Sequence, residues 1–440
     1  MRFSLAALLL SSTVVGLAQG TLAIRGVTLI DGSGGPPTLN ATVVVAGDRI
    51  VLIGEGGTLQ VSDNATVVDG RGKTLIPGMI NLHGHVGMTN GLVQAQENYT
   101  RDNVIENLRT YASYGVTTTT SLGTDLSPVI DVRDAINRGE LRGVARVLTA
   151  LQGFTTANGY PTQAPGVKGL ALEVSDPAEA RAQVDRLADS GADLVKMWVD
   201  SHHGNFEKLH PNISRAIIDQ AHKRGLIAAA HLYELADAKH LANAGLDIIA
   251  HSVRDGAVDR DLIRRLLARD VTYAPTLTRE QSTFVYADLP DWLDEAFFAR
   301  SVSPSVVQGL RTSMRETQSK DAEQAINRKN FRVAMRNLKR LADAGVKIGF
   351  ATDTGPPGRF PGYFEHWEAE LMIQAGLTPM QVIVSFSKTA SEALGIDRDF
   401  GTLAEGKVAD MILLDGNPLG NIRNLRKINT VYVGGQPLVQ

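Results

Sequence analysis

The chain has no cysteine in 440 residues. That excludes a disulfide framework, a thiolate zinc site and a cysteine nucleophile. Any metal must be held by histidine, a carboxylate or a modified side chain. There is no basic excess either. Lys and Arg number 44 against 47 Asp and Glu, a net charge of −3 that gives no support for nucleic-acid binding. Past the N-terminus there is no apolar run of membrane-spanning length, no short-period repeat and no low-complexity tract. Hydrophobic content of 43% with 21% charged residues is that of a globular protein of one large domain or two unequal ones.

The N-terminus reads MRFSLAALLLSSTVVGLAQG. Arg2 supplies a short positive segment, Leu5 to Leu17 are apolar or small, and Ala18 and Gly20 suit the small positions before a cleavage point. This is read as a secretory signal peptide over 1–20, cleaved near Gly20, with the mature protein secreted to an extracellular or periplasmic location. A buried first strand or an uncleaved anchor is the alternative. Asn-x-Ser/Thr sites at Asn40, Asn64, Asn98 and Asn212 weakly favour a glycosylated secreted protein.

Residues 21–77 and 399–440 share a texture of short β-branched runs punctuated by glycine, as in ATVVVAGDRIVLIGEG and INTVYVGGQPLV. They predict one small β-domain, a β-sandwich, built from both termini. Residues 78–398 alternate apolar strands with amphipathic helices, which implies a parallel sheet with helical crossovers. Eight strands are expected: 79–85, 116–122, 146–152, 193–199, 226–232, 247–253, 271–277 and 347–353. The economical closure is an α/β fold, a (β/α)8 TIM-like barrel. Residues 278–346 enlarge the last crossover.

The unusual polar residues fall at the ends of those strands. His83 and His85 flank Gly84 in IPGMINLHGHVG, Lys196 lies in LVKMWV, His231 follows IAAA, His251 follows IIA, and Asp353 follows GFAT. Alternate residues of a strand point the same way, so His83 and His85 can reach one ion. Neutral imidazoles and carboxylates suit Zn²⁺ and similar divalent ions. Lys196 is the odd member, because a protonated lysine cannot bind a cation and is costly to bury unpaired. Carboxylation by CO₂ would turn it into an anion with two oxygens.

These motifs, with AAHLY, AHSV, ATDTG and the tail GTLAEGKVADMILLDGNP, resemble the amidohydrolase superfamily over nearly the whole mature chain. The likeness is to its binuclear subtype with a bridging carboxylated lysine, and within it to the Xaa-Pro dipeptidase, carboxypeptidase and ochratoxinase-like group. The resemblance implies that His83, His85 and Asp353 hold one metal, that His231 and His251 hold a second, and that Lys196 bridges both as a CO₂-derived carbamate beside a hydroxide. It implies two divalent ions, Zn²⁺ being the best fit, with Asp353 as the catalytic proton shuttle. The expected activity is hydrolysis of a carbon–nitrogen bond in a small-molecule amide such as a dipeptide or N-acyl amino acid. The alternatives are a lactonase, esterase or phosphotriesterase on the same centre, and a non-catalytic scaffold. Tyr233, His203 and Arg254 are candidate substrate contacts. His202, Arg279 and Arg359 also follow strands, with solvated or ion-paired roles as alternatives. Trp292, Phe297 and Phe298 are read as core or interface residues that could cap the pocket. His210, His222, His240 and His366 are read as structural. No nucleic acid or membrane partner is expected, and a homo-oligomer is open.

Overall fold

β-branched runs open the described part of the chain: β1 (Thr21–Leu29), β2 (Thr38–Ala46), β3 (Arg49–Glu55), β4 (Thr66–Asp69) and β5 (Thr74–Pro77). The structure, a computed structural model, describes residues 21–438 except 57, 58, 60 and 62, so the expected signal peptide lies outside the described residues.

The middle of the chain supplies β6 (Met79–Gly84), β7 (Val116–Ser121), β8 (Arg146–Thr149), β9 (Leu194–Val199), β10 (Ile227–Leu232), β11 (Ile248–Ala250) and β12 (Thr272–Ala274). Between them run α1 (Arg101–Ser113), α2 (Pro128–Asn137), α3 (Pro177–Asp189), α4 (Pro211–Lys223), α5 (Leu235–Ala244) and α6 (Arg260–Arg269). Helix starts follow from local chemistry. Asp176 accepts from the N–H groups of Ala178 and Glu179, with Pro177 at the first position of α3, while Thr100 and Asp259 cap α1 and α6. All strand contacts here are parallel, in the order β6–β7–β8 and β9–β10–β11–β12. β7 and β9 are buried at every position, as strands covered on both faces must be.

Two sets of hydrogen bonds join these arcs. On one side Asp193 N donates to Thr149 O at 2.9 Å, and Phe154 pairs with Met197. On the other, residues 347–354 lie between β12 and β6. Tyr273 N donates to Lys347 O (2.9 Å), Leu82 N to Phe350 O (2.8 Å) and His85 N to Thr354 O (2.7 Å). The eighth expected strand is thus an extended segment held by isolated bridges at Ile348 and Thr354 rather than a continuous ladder.

Several strands stop earlier than their apolar runs suggest. The backbone turns to positive φ at Leu151 (52°), His251 (151°), Thr276 (49°) and Asp353 (60°). Non-glycine residues rarely adopt such angles, and here they end the ladders where polar side chains must turn towards one another. The crossover enlarged between β12 and the last strand opens with α7 (Leu277–Ser282) and closes with α8 (Gln324–Asp343); α9 (Tyr363–Gln374) follows the last strand. Trp292 packs on Phe298, Tyr363 and Trp367 with ring centroids 4.9, 5.2 and 5.0 Å away. Phe297 joins the same cluster through Tyr363 and His366. These aromatics fasten the insertion to α9.

The chain then returns to its starting sheet with β13 (Met411–Leu414), β14 (Ile428–Val433) and β15 (Gln436–Pro437). The order is β15–β14–β13–β5–β1–β2–β3, with β4 also paired to β1. In its hydrogen bonding the expected sandwich is a single sheet drawn from both termini, with Ile24, Val27, Val43, Leu75, Met411 and Leu413 in its core. An Arg146–Asp410 ion pair ties it to β8. Among the described residues no helix is long and apolar enough to cross a membrane.

Candidate metal centre

The strand ends bring all six expected ligands to one place. His83, Lys196, His231, His251 and Asp353 are buried, and His85 is half-buried at the same opening. Ring centroids of His83 lie 5.2 Å from His85 and 4.7 Å from His251, which is 4.3 Å from His231. His83 Nε2 sits 3.4 Å from both Lys196 Nζ and Asp353 Oδ1, and His85 Nε2 is 2.9 Å from the same carboxylate oxygen. Gly84 permits this approach, since a Cβ there would meet the Tyr111 hydroxyl at 2.5 Å.

The outward-facing nitrogens of three imidazoles are tied down. His85 Nδ1 donates to Gly123 O at 2.6 Å, His251 Nδ1 pairs with Thr276 Oγ1 at 2.7 Å, and His231 Nε2 pairs with Asp200 Oδ2 at 2.8 Å. A ring that donates through one nitrogen keeps a lone pair on the other, and partners of this kind fix both tautomer and orientation in metal sites. Burial also keeps the His83, His231 and His251 rings neutral. It pushes the His83 and His251 imidazoles well below their ordinary value, with Lys196 acting the same way on both, and takes His231 down to about 3. Burial would raise the Asp353 carboxyl, but Arg359, His83 and His85 outweigh it and hold the group well below the carboxylate range. A set of neutral nitrogen donors beside an ionised carboxylate fits a divalent cation such as Zn²⁺.

Lys196 is fully buried on β9, and burial takes its ammonium down to about 7. A substantial share of the amine is therefore a neutral nucleophile near pH 7, as addition to CO₂ requires.

Among the described residues two groups have donor atoms close enough to share an ion: His83, His251 and Asp353, and Asp200, His202 and His231. The first is made of expected ligands and the second holds one, His231, so they divide the set differently from the resemblance, which pairs His231 with His251. Asp200, buried behind His231, was not among the residues singled out from the sequence. It stands four positions after Lys196, so the same alternation that exposes Lys196 to the centre carries it there. Burial opposes its charge, but the hydrogen bond from His231, with Arg254 nearby, holds its carboxyl below the ordinary range.

A cavity of about 490 Å³ opens on the centre. His83, His85, His231, His251 and Asp353 form its floor, with Tyr160 and Arg359 beside them and Met88, Leu92, Val93, Pro161 and Val167 on an apolar wall. Tyr160 also escaped sequence reasoning, because it lies in the loop NGYPTQ, where no strand or helix period marks it. Its ring is 4.0 Å from His202 and 5.3 Å from His231 by centroid. Arg359 donates to Asp353 Oδ2.

The candidate substrate contacts lie next door. Tyr233, His203 and Arg254 line a separate cavity of about 200 Å³ with Asp200, His202, Arg279 and Glu280. Arg254 is committed there: it donates to Leu232 O and Ser252 O at 2.9 and 2.8 Å, pairs with Glu280 at 2.9 Å and stacks on Tyr233. Arg279 pairs with Glu280 at 3.1 Å and reaches to 4.0 Å from Asp353. His210 caps α4, His222 pairs with Asp247, His240 with Ser214 and His366 with Tyr114 O, all away from the centre.

Comparison with known proteins agrees with this geometry. The amidohydrolase family model matches residues 74–438. An imidazolonepropionase of Streptomyces griseus is 26% identical over 423 residues, covering 93% of this chain and 92% of its own. The ochratoxinase of Aspergillus niger is 24% identical over 463 residues, covering 95% and 86%. The crystal structure of a Xaa-Pro dipeptidase with methionine bound in its active site superposes with a TM-score of 0.76 at 22% identity, covering 95% of this chain and 99% of that one. With its fold matched end to end and a buried histidine–aspartate centre at the strand ends, this chain belongs to the amidohydrolase family, the hydrolases that act on carbon–nitrogen bonds.

Proposed function

We propose that this chain is a binuclear metal-dependent hydrolase, built on a (β/α)8 barrel, that cleaves the amide bond of a small molecule such as a dipeptide or an N-acyl amino acid. The observation that carries the reading is the convergence of His83, His85, His231, His251, Lys196 and Asp353 in one buried centre, with His85 and His231 each donating through one ring nitrogen to a fixed oxygen and His251 held against Thr276. His83, His85 and Asp353 would hold one ion, His231 and His251 the other, and Lys196, as a carbamate, would bridge them. When bound, divalent ions supply a water ionised near neutral pH and polarise the scissile carbonyl.

The chain's own residues do the rest. Asp353 Oδ1 faces His83 and His85, and it accepts the proton of the attacking water and returns it to the leaving nitrogen, which departs poorly without it. Tyr160, on the wall of the same cavity, donates its hydroxyl to the carbonyl oxygen as negative charge develops there. Burial raises the phenol above its ordinary value, so it keeps its proton at working pH. The apolar wall suits an aliphatic or aromatic group on the substrate. Replacing Tyr160 by Phe should lower kcat about 10²-fold with KM little changed. A raised KM with kcat unchanged would make Tyr160 a ground-state contact instead.

The substrate class is tested by a mass-spectrometric hydrolysis screen of Zn²⁺-loaded, bicarbonate-treated protein. The panel holds Xaa-Pro and other dipeptides, N-acyl amino acids, aryl amides, lactones and phosphotriesters, each with and without chelator. Chelator-sensitive release of an amine supports the amide reading. Turnover of lactones or phosphotriesters alone overturns it.

The N-terminal segment supports secretion as a further part of this proposal. Asn40, Asn64 and Asn212 are exposed, as glycan acceptors must be, whereas Asn98 Nδ2 donates to Val93 O at 2.9 Å. Culture medium lacking the mature chain, cleaved near Gly20, would count against it.

A further inference from the structure

We propose that one helix, α9, positions both halves of the metal centre through two buried glutamates, Glu365 and Glu368. The proposal rests on the binuclear reading above. Both side chains are completely buried, and among the described residues neither forms an ion pair with Lys or Arg. A buried carboxylate without a cation costs several kcal/mol unless fixed donors surround it. Here the donors come from the segments that carry the metal ligands.

Glu365 holds the first half. Its Oε1 accepts from Asn81 Nδ2 at 2.8 Å, Thr352 Oγ1 at 2.7 Å and Thr354 Oγ1 at 3.0 Å. Thr352 and Thr354 bracket Asp353, whose φ of 60° no ladder maintains. Asn81 Oδ1 in turn accepts the N–H of His83 at 3.1 Å. One carboxylate oxygen therefore fixes the backbone on both sides of Asp353 and one side of His83. The other oxygen accepts Gly362 N at 2.6 Å, which locks the start of α9 to the same group.

Glu368 holds the second half. Its oxygens accept Leu277 N at 2.8 Å, Thr278 N at 2.7 Å and Thr278 Oγ1 at 2.8 Å, fixing the first turn of α7. The residue just before that turn is Thr276, at φ 49°, whose hydroxyl meets His251 Nδ1 at 2.7 Å. The two glutamates stand at i and i+3 on a single helix and so share a face. Their rigid spacing sets the Asp353 turn against the Thr276 turn, and thereby the first ligand group against the second.

The test is metal titration of the full chain, stripped by chelator, with Zn²⁺ followed by calorimetry and metal content measured by mass spectrometry. The variants are Glu365→Gln and Glu368→Gln, with Thr352→Val and Thr276→Val as milder changes that keep side-chain shape. His85→Asn and His251→Asn identify the two binding steps. The wild type should bind two ions in two steps. Glu365→Gln and Thr352→Val should weaken the step lost in His85→Asn by about tenfold or more, and Glu368→Gln and Thr276→Val the step lost in His251→Asn. Melting of the metal-free Val variants should match the wild type. Variants that weaken both steps alike, or neither, overturn the positioning role while leaving the two-ion reading intact. A wild type that takes up no ion overturns the two-ion reading, and this inference with it.

Discussion

Asp353→Asn should lower kcat about 10³-fold or more while the protein still folds and still binds metal. The asparagine keeps the size of the side chain and one oxygen to face His83 and His85. It loses the ability to take a proton. Two further features make the expected loss large. Arg359 donates to the second carboxylate oxygen, and Arg279 stands 4.0 Å away, so Asp353 is the negative focus of a cationic neighbourhood. An amide there removes the charge that holds those guanidiniums, and donor meets donor at Arg359. The loss should also depend on the leaving group. Amides of poorly basic aryl amines need less help from a returned proton and should lose less than dipeptides. Stopped-flow or steady-state assays across a series of leaving groups would show this. Near-wild-type turnover with full metal content would remove Asp353 from the proton path.

Much of this centre was legible in the sequence for a simple reason. Among the expected ligands, His231 and His251 are the first polar residues after apolar runs, and His83 and Asp353 close runs broken only by Asn81 and Thr352, so all four announce themselves. Lys196 does so from within one. What the sequence could not carry was everything set by the backbone turning after the strand. Leu151, His251 and Thr276 adopt positive φ, which no apolar pattern encodes, so the strands before them were expected to run three residues too far. Tyr160 reaches the centre from an irregular loop. Tyr233 has the right spacing after His231 but turns to Arg254 instead, because β10 ends at Leu232. Arg254 looked available as a charge beyond a strand, yet Glu280 and two backbone carbonyls consume it. Glu365 and Glu368 sit in YFEHWEAELM, where glutamates read as the solvent side of a helix. Only the tertiary packing shows that α9 is buried on nearly every side.

Lys196→Ala should be as damaging as the loss of Asp353, and its repair is the more telling part. A free ammonium at this position would stand 3.4 Å from His83 Nε2 and repel any cation held there. Burial already lowers it to about 7, so at pH 8 most of the amine is neutral and able to add to CO₂. The sign follows: at fixed dissolved CO₂, reactivation of metal-stripped, CO₂-depleted protein by Zn²⁺ should speed up as pH rises from 6 to 8, then level off. In the alanine variant the anion is gone. Activity should fall about 10³-fold, some 4 kcal/mol of transition-state stabilisation, and metal content should drop with it. The truncation also leaves a space the length of a lysine beside the ligands. Formate, acetate or propionate can enter that space and supply two carboxylate oxygens, so millimolar additions should restore part of both metal content and turnover. Lys196→Met fills the space with an apolar chain of similar length and should not be rescued. Were the lysine only a structural filler, methionine would be the benign replacement and alanine the damaging one, with no response to carboxylate in either. The two variants therefore separate a bridging anion from a packing role by opposite orders of effect.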